Sequence, residues 1–542
     1  MAGLLTLLHG CSALEGYAEA VPTFESMGIT WSPAAGAPDR ICDAQYRERG
    51  QAAWQAGLPL WFDARDREYR GSLVHLQPGT DYEIELRLSG TEQRTRIQAR
   101  TWDEAFPIGD TVYVRSSRET LYITESGRPD AYRLCLPWPG DSAVIDADSL
   151  EEYCVVIDAS YIIVRGLTLR GACHSAILLG KQHDVVIEQC DMSNWGHEER
   201  GFPGVGANFN SGIFAEGNGE YPARIVIQDN RIHHPRHGST HWEQQGPQGN
   251  HPHGPQGITI LNGGGHYVIR YNAFYSSPGR YFNDAMGEWR NFTFGGFPGR
   301  DTDIHHNWIS HCWDNGIEAE GGNRNVRIWA NFTDRCYRHI ATANTNLGPV
   351  YIWRNVSGVA ERSPGNRRAF WGKTVAVNRP DPEGMAPRGM IYLFHNTITQ
   401  PVLGGRLAGA AGIGNGQTVM SRNNLYWCSL SQGPVIFRDA QSPANRFDYD
   451  LYNGEIEGPP GSEAHGIRME RPQFAADNLP YMPELLQSGT YWLAPGAPGQ
   501  DAGEALPGFS GPFTGAAPDI GAYETGLPGP QFGPRGRKIR AP

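Results

Sequence analysis

Lysine is almost missing from this chain: only Lys181, Lys373 and Lys538 occur among its 46 basic residues. A lysine in a functional column would therefore stand out. Charge of either sign is sparse at 19% of residues, and the net charge of −12 gives no sign of the basic face a nucleic-acid binder carries. The nine cysteines run from Cys11 to Cys428 without a single CxxC pair. That excludes a disulfide scaffold and a zinc site of ordinary spacing, and the thiols are expected to be buried. No apolar run approaches the roughly 20 residues of a membrane helix, so no transmembrane segment is expected.

What is abundant is glycine, 68 of 542 residues, well above the roughly 7% average. The 15 Trp, 23 Tyr and 20 Phe supply enough apolar bulk for a large core. The first residues, Met1 to Cys11, hold a short apolar stretch with no basic residue before it, a poor match to a secretory signal. Leu8-His9-Gly10-Cys11 faintly resembles a lipoprotein cleavage site. The expected location is periplasmic or secreted, with the cytoplasm as the alternative.

Residues 17–103 alternate apolar and polar side chains between turns. Gly28 to Pro33 and Ile41 to Tyr46 read as strands, as do the stretches around Tyr82 to Leu86 and Arg96 to Thr101. Trp31 in an early strand and Leu76-Gln-Pro-Gly-Thr-Asp-Tyr82 later resemble a fibronectin type III domain. The resemblance implies a small β-sandwich whose tyrosine hydroxyl bonds backbone at a corner.

From about residue 150 a strand ending in Asn keeps returning: Arg224-Ile-Val-Ile-Gln-Asp-Asn230, His266-Tyr-Val-Ile-Arg-Tyr-Asn272, and further copies ending at Asn307, Asn331, Asn355, Asn396 and Asn423. An earlier copy places Cys190 in that position. The steps are 42, 35, 24, 24, 41 and 27 residues, so 24 residues make one minimal repeat and the longer steps hold insertions. Asn tolerates a left-handed turn and can bond the Asn of the next coil. This unit resembles one coil of a right-handed parallel β-helix of the pectin lyase-like, carbohydrate-active kind. The tail, from Tyr491 to Gly503 and from Ala517 to Glu524, resembles the closing segment of extracytoplasmic bacterial β-helix proteins. The expected fold class is all-β, with a sandwich at 17–103, a parallel β-helix at 104–430 and a closing segment at 431–542.

A second strand precedes each Asn strand. Aligning the motifs that begin at Ser211, Gln256, Asn283, Asn315, Arg338 and Arg368 places Ile213, Ile258, Ala285, Ile317, Ile340 and Phe370 inward. Alternation then turns two columns outward: Phe214, Thr259, Met286, Glu318, Ala341, Trp371, and Glu216, Leu261, Glu288, Glu320, Ala343, Lys373. Glu288, Glu318 and Glu320 crowd one patch, with Asp284 and Asp314 at its rim. Like charges so stacked require a cation, nearby Arg, or a raised pKa.

Such carboxyl pairs suit glycoside hydrolysis, which takes one acid and one carboxylate about 5–5.5 Å apart for retention or about 6.5–9.5 Å apart for inversion. The expected catalytic residues are Glu318, Glu320, Asp284 and Glu288. Arg338, His339, Arg368, Trp371, Lys373, His253 and Glu216 are expected to bind a polysaccharide or oligosaccharide, with no nucleic-acid partner. No cofactor is required and no metal is assigned on this reading.

Glu318-x-Glu320 is also similar to the calcium-binding Glu-x-Glu of the chondroitinase B and alginate lyase family. That resemblance implies a lyase or C5-epimerase in which Ca²⁺ neutralises the sugar carboxylate, a lysine takes the C5 proton and an arginine assists. Here Gly321-Gly-Asn-Arg324 follows, with no lysine where that family keeps its base. The paired Asp and Gly-His-Gly of polygalacturonases are absent too. A third possibility is a non-catalytic glycan-binding adhesin on the same scaffold. Six of the 18 histidines fall between His233 and His253, where the loop is expected to overhang the groove with His253 facing substrate.

Overall fold

The computed structural model describes residues 16–197, 209–244, 254–290, 293–342, 345–365, 370–374, 388–399, 411–413, 417–427, 434–438, 442–482 and 487–535, with the strands Phe370–Thr374 and Ala411–Ile413 described by backbone alone. The chain divides into two compact units, residues 1–104 and 105–542. In the first, two four-stranded antiparallel sheets enclose a core that includes Trp31, Tyr69 and Tyr82. Its strands include Met27–Trp31 and Cys42–Glu48. The hydroxyl of Tyr82 accepts the Gln77 N–H at 2.8 Å, fixing the turn through Pro78 and Gly79.

The second unit is a right-handed parallel β-helix. Successive strands visit three sheets in rotation, so each sheet grows by one strand per coil. One sheet has six strands, from Leu121–Ile123 through Tyr153–Ile157, Ser175–Leu179, Ser211–Glu216 and Gln256–Leu261 to Met286–Gly287. The second has twelve strands, from Ile108–Val114 to Arg446–Asp448. The third has sixteen and ends at Ile467–Arg468, so coiling continues well past residue 430. Two long strands, Trp308–Glu318 and Phe332–Ala341, begin in the third sheet and turn its corner, extending the face of the six-stranded sheet.

Apolar side chains stack in register through the interior. Ile187, Ile227, Ile269, Ile304, Ile328, Ile352 and Leu393 form one such column, all of them buried. Each buried side chain of this size contributes about 1.5–3 kcal/mol, and repetition makes the core continuous rather than globular. Seven described cysteines are free; six are buried and Cys173 is partly so.

The Asn ladder is real, with two corrections. Asn230, Asn272, Asn307, Asn331, Asn355, Asn396 and Asn424 each donate from Nδ2 to the Oδ1 of the next member at 2.9–3.1 Å, and Asp450 receives the last bond. The final Asn is therefore Asn424, not Asn423. The left-handed backbone also belongs to the residue before each ladder Asn: Asp229, Tyr271, His306, Ala330, Arg354, His395 and Asn423 all have φ near +50° to +60°. The turn frees each Asn to keep an extended backbone and point its amide along the stack. Among the described residues no helix is long and apolar enough to cross a membrane.

Candidate active site

On the outer face of the six-stranded sheet and its extension, one column of residues reads Tyr153, Ser175, Ser211, Gln256, Asp284, Asn315, Arg338. A side chain-to-side chain hydrogen-bond chain runs along it. Ser211 Oγ donates to Thr259 Oγ1 at 2.8 Å, Thr259 Oγ1 donates to Gln256 Oε1, and Gln256 Nε2 donates to Asp284 Oδ2 at 3.1 Å. Asn315 Nδ2 donates to Asp284 Oδ1 at 2.9 Å and reaches Glu318 Oε1 at 3.4 Å.

The strands enter this face over a column of small residues. A Cβ on Gly212 would meet Ile232 Cγ2 at 2.7 Å, and one on Gly257 would meet Phe274 Cδ1 at 2.7 Å. The same close approach recurs at Gly316, where a Cβ would meet the His339 carbonyl at 2.7 Å, between the paired residues Asn315–Arg338 and Ile317–Ile340. His339 is fully buried, so it does not present its ring to substrate as expected.

The register differs from expectation in two coils. Ile258 pairs with Met286, not Ala285, and Thr259 pairs with Gly287. This one-residue shift puts the larger Met286 into the core and Asp284 between Gln256 and Asn315, where donors await it. Glu288 thereby leaves the outward column, and Gly287 takes the place given to Met286. Two coils on, Ala341 pairs with Lys373 and Ile340 with Gly372. Lys373 thus joins the Glu318 column instead of the Glu320 column, and Trp371 leaves it. The stretch Ala-Phe-Trp-Gly offers apolar residues in either register, so sequence pattern does not choose between them. The side chains of Trp371 and Lys373, and all of Arg368 and His253, lie outside the described residues.

The four carboxyl groups are not solvated. Asp284, Glu288, Glu318 and Glu320 are 2%, 3%, 7% and 1% exposed, which leaves Glu318 the most open of them. Asp284 accepts four N–H donors: the backbone and side-chain amides of Asn315 and the side chains of Gln256 and Asn283. Its acceptor positions are filled, which fits an orienting group better than a proton carrier. Burial, reinforced by the charge of Asp314, still pushes its pKa well above the usual carboxylate range. Burial raises Glu288 to about 7, against the Asn262 N–H and the Arg290 charge, which favour ionisation. Glu318 leans back over Gly287, where a Cβ would meet its Oε2 at 2.5 Å, and that oxygen accepts the Glu288 N–H at 3.1 Å. Glu320 lies beneath the segment around Gly296, whose Cβ would strike the Glu320 carbonyl. The crowding that sequence reasoning required to be relieved is thus met by N–H donors at Asp284, Glu288 and Glu318 and by raised pKa values at Asp284 and Glu288.

Arg338 is buried as well. Its guanidinium lies 3.7 Å from the Tyr337 ring and donates to the Tyr337 hydroxyl at 2.9 Å, and burial lowers its pKa. Trp242 packs on Tyr337 and donates to Asp314 at 3.3 Å, making an aromatic edge to the face. Glu216 is exposed at the far end of its strand, paired with Leu261 and away from the other carboxyls. Sequence reasoning missed Gln256, Asn315 and Gly287. An amide three residues before Glu318 and another in line with Asp284 were the available clue.

Calcium takes six to eight oxygen ligands. Among the described residues no three His, Cys, Asp or Glu side chains converge as a metal site. Glu318 meanwhile turns its oxygens toward the Glu288 and Asn315 N–H groups. The described residues do not fit a calcium ion at Glu318 and Glu320.

A family model described as "Right handed beta helix region" matches residues 153–346. No curated protein matches the chain. Among solved structures, the chain is similar to the pectate lyase Pel9A, with 14% identity over 77% of this chain and 86% of that one and a TM-score of 0.35. It is also similar to Jun a 1, the major allergen from cedar pollen, with 12% identity over 67% and 78% of the two chains and a TM-score of 0.26. The matched family region spans the coils that carry Asp284, Glu288, Glu318 and Glu320, and the strand order of the whole second unit is that of a right-handed parallel β-helix.

Proposed function

We propose that this protein is a polysaccharide-degrading enzyme outside the cytoplasm, acting as a glycoside hydrolase, with a fibronectin type III-like first unit. One observation carries the reading: four carboxyl groups are buried on two adjoining coils, two of them with raised pKa values. Burying carboxyls is costly, and perturbed acids concentrated on one face are a mark of catalysis more than of packing.

Glu318 and Glu320 stand at alternate positions of one chain segment, about 6.5–7 Å apart along it. That is the lower end of the spacing at which one carboxyl protonates the leaving oxygen while the other activates a water, with inversion at the anomeric carbon. Asp284 positions Asn315, which holds Glu318. Below its pKa of about 7 Glu288 is neutral, so it places no second negative charge beside Glu318, whose Oε2 accepts the Glu288 N–H. Gly287 and Ala341 flank Glu318 with almost no side chain.

Glu318→Gln and Glu320→Gln should each lower turnover about 10³-fold with little change in melting temperature. Full activity in both would place the chemistry elsewhere. A second reading, β-elimination from a uronate, gains from one observation: Lys373 lies in the Glu318 column two coils away, about 10 Å by strand spacing. Unsaturated products absorbing in the ultraviolet, lost in Lys373→Ala, would replace the hydrolase reading with this one.

A further inference from the structure

The Glu318 column continues for four coils on the other side of Thr259, and there its character changes. Tyr122 pairs with Val156, Val156 with Leu178, Leu178 with Phe214, and Phe214 with Thr259, which pairs with Gly287 beneath Glu318. Tyr122 is 66% exposed, and Val156, Leu178 and Phe214 are each partly exposed. Tyr153 and His174 broaden the stripe, with the His174 ring 5.4 Å from Tyr153 and 5.1 Å from Phe214. A row of partly exposed apolar side chains along a sheet face, ending in the exposed Tyr122, is a surface a ligand can cover.

Charge narrows the ligand. The five strands Leu121–Ile123, Tyr153–Ile157, Ser175–Leu179, Ser211–Glu216 and Gln256–Leu261 contain no Lys or Arg. Their exits carry the exposed acids Asp158 and Glu216, and the cations described there, Lys181 and Arg290, stand past strand ends, where Arg290 donates to Asn262. Burial lowers the His174 pKa, so its ring is neutral at ordinary pH. A polyanion laid along the stripe from Tyr122 to Phe214 would meet carboxylates at the strand exits and no cation on the strands themselves. A neutral glycan would offer the C–H faces of its rings to Tyr122, Leu178 and Phe214.

We infer that the enzyme takes a neutral polysaccharide, and that the stripe from Tyr122 to Phe214 forms a run of subsites leading to Glu318. The inference rests on the hydrolase reading for the position of the cleaved bond and not for the binding itself. Three steps of about 4.8 Å separate Tyr122 from Phe214, a span of about 14 Å, so only chains of several sugars can use the whole stripe.

The test compares wild type with Phe214→Ala and Tyr122→Ala on neutral glucan, mannan, xylan and galactan oligosaccharides of increasing length, and on oligogalacturonate and oligoalginate. Each substitution should raise KM about tenfold for the long neutral chains, with kcat and the KM of the shortest cleaved chain unchanged. Binding is measured separately, by calorimetry on Glu318→Gln with the same neutral chains. Cleavage by wild type with both stripe variants unaffected overturns the subsites and leaves the hydrolase reading intact. A preference for the acidic oligosaccharides overturns the substrate class. Length-dependent binding lost in Tyr122→Ala, without hydrolysis by wild type, sustains the stripe and overturns the hydrolase. Tyr122 is largely exposed, so its variant is expected to fold whether or not Phe214→Ala does.

Discussion

Two polar columns run up this solenoid, both buried and both bonded from coil to coil, and they follow opposite rules. Along the interior corner the same residue recurs seven times from Asn230 to Asn424, each amide serving the next. On the outer face the column changes at every step: Ser211, Gln256, Asp284, Asn315, Arg338. An identical ladder satisfies its own donors and acceptors, so it holds the stack together and does nothing else. A mixed column leaves charges to be settled by its surroundings, and burial gives Asp284, and Glu288 beside the column, their raised pKa values.

The contrast breaks most severely at the centre of the ladder. Asn307 donates to Ile269 O and Asn331 Oδ1 at 2.9 Å and accepts from the backbone and side-chain amides of Asn272 at 3.0 Å. Asn307→Ala strands several buried groups and should cost about 3–5 kcal/mol in denaturant unfolding. A loss below about 1 kcal/mol would mean the ladder is decoration on a stack that the apolar core holds alone.

The carboxyl cluster beside the outer column should answer to pH where the ladder does not. Glu288 has its pKa raised from 4.5 to about 7 by burial. Below about pH 4.5 it is protonated folded or unfolded; between there and about pH 7 the unfolded chain gives up the proton and the folded chain keeps it. Stability therefore falls as pH rises through that window, by about 3 kcal/mol from this residue. Wild type should lose that much more than Glu288→Gln between about pH 5 and about pH 8. Asp284, Asp301 and Asp334 shift the same way but are present in both proteins, so they cancel. Equal slopes would show that Glu288 is ionised in the fold.

Gly287→Ala sharpens the comparison from the catalytic side. The new Cβ would sit 2.5 Å from Glu318 Oε2 and 2.8 Å from Glu318 Cβ, so the carboxylate must swing away from the Glu288 N–H. Turnover should fall about 10²-fold, the usual consequence of an ångström-scale displacement, with a smaller loss of stability. An unchanged kcat would remove Glu318 from the chemistry.

The same contrast explains what the amino-acid order reveals. Repetition made the coil visible, since Asn recurring after apolar-x-apolar strands marks each turn without any tertiary knowledge. The site has no repetition. Met286 and Ala285 are both apolar and both end in the core, so alternation alone cannot say which one pairs with Ile258; Met286 does, and the hydrogen bonds of Asp284 to Gln256 and Asn315 go with that register. Phe370 and Gly372 pose the same ambiguity, and there Gly372 pairs with Ile340. Burial of the carboxyls was hidden for a different reason: the segment around Gly296 that covers Glu320 comes from an insertion whose path no periodicity describes.

The smallest effect concerns the turn that aims each ladder Asn. The residue before it is left-handed in every coil, and in one coil that residue is Ala330, at φ 49°. For an L-residue this backbone costs about 1–2 kcal/mol, less for Asn or Asp, which occupy two other coils. Ala330→Gly removes that strain but loosens the unfolded chain by about 0.5–1 kcal/mol. Its Cβ is buried and contributes a little packing. The balance should be a gain of about 0.5 kcal/mol, read as a raised denaturant midpoint with unchanged slope. A loss instead would show that the methyl group of Ala330, and not the hand of its backbone, is what the coil requires at that position.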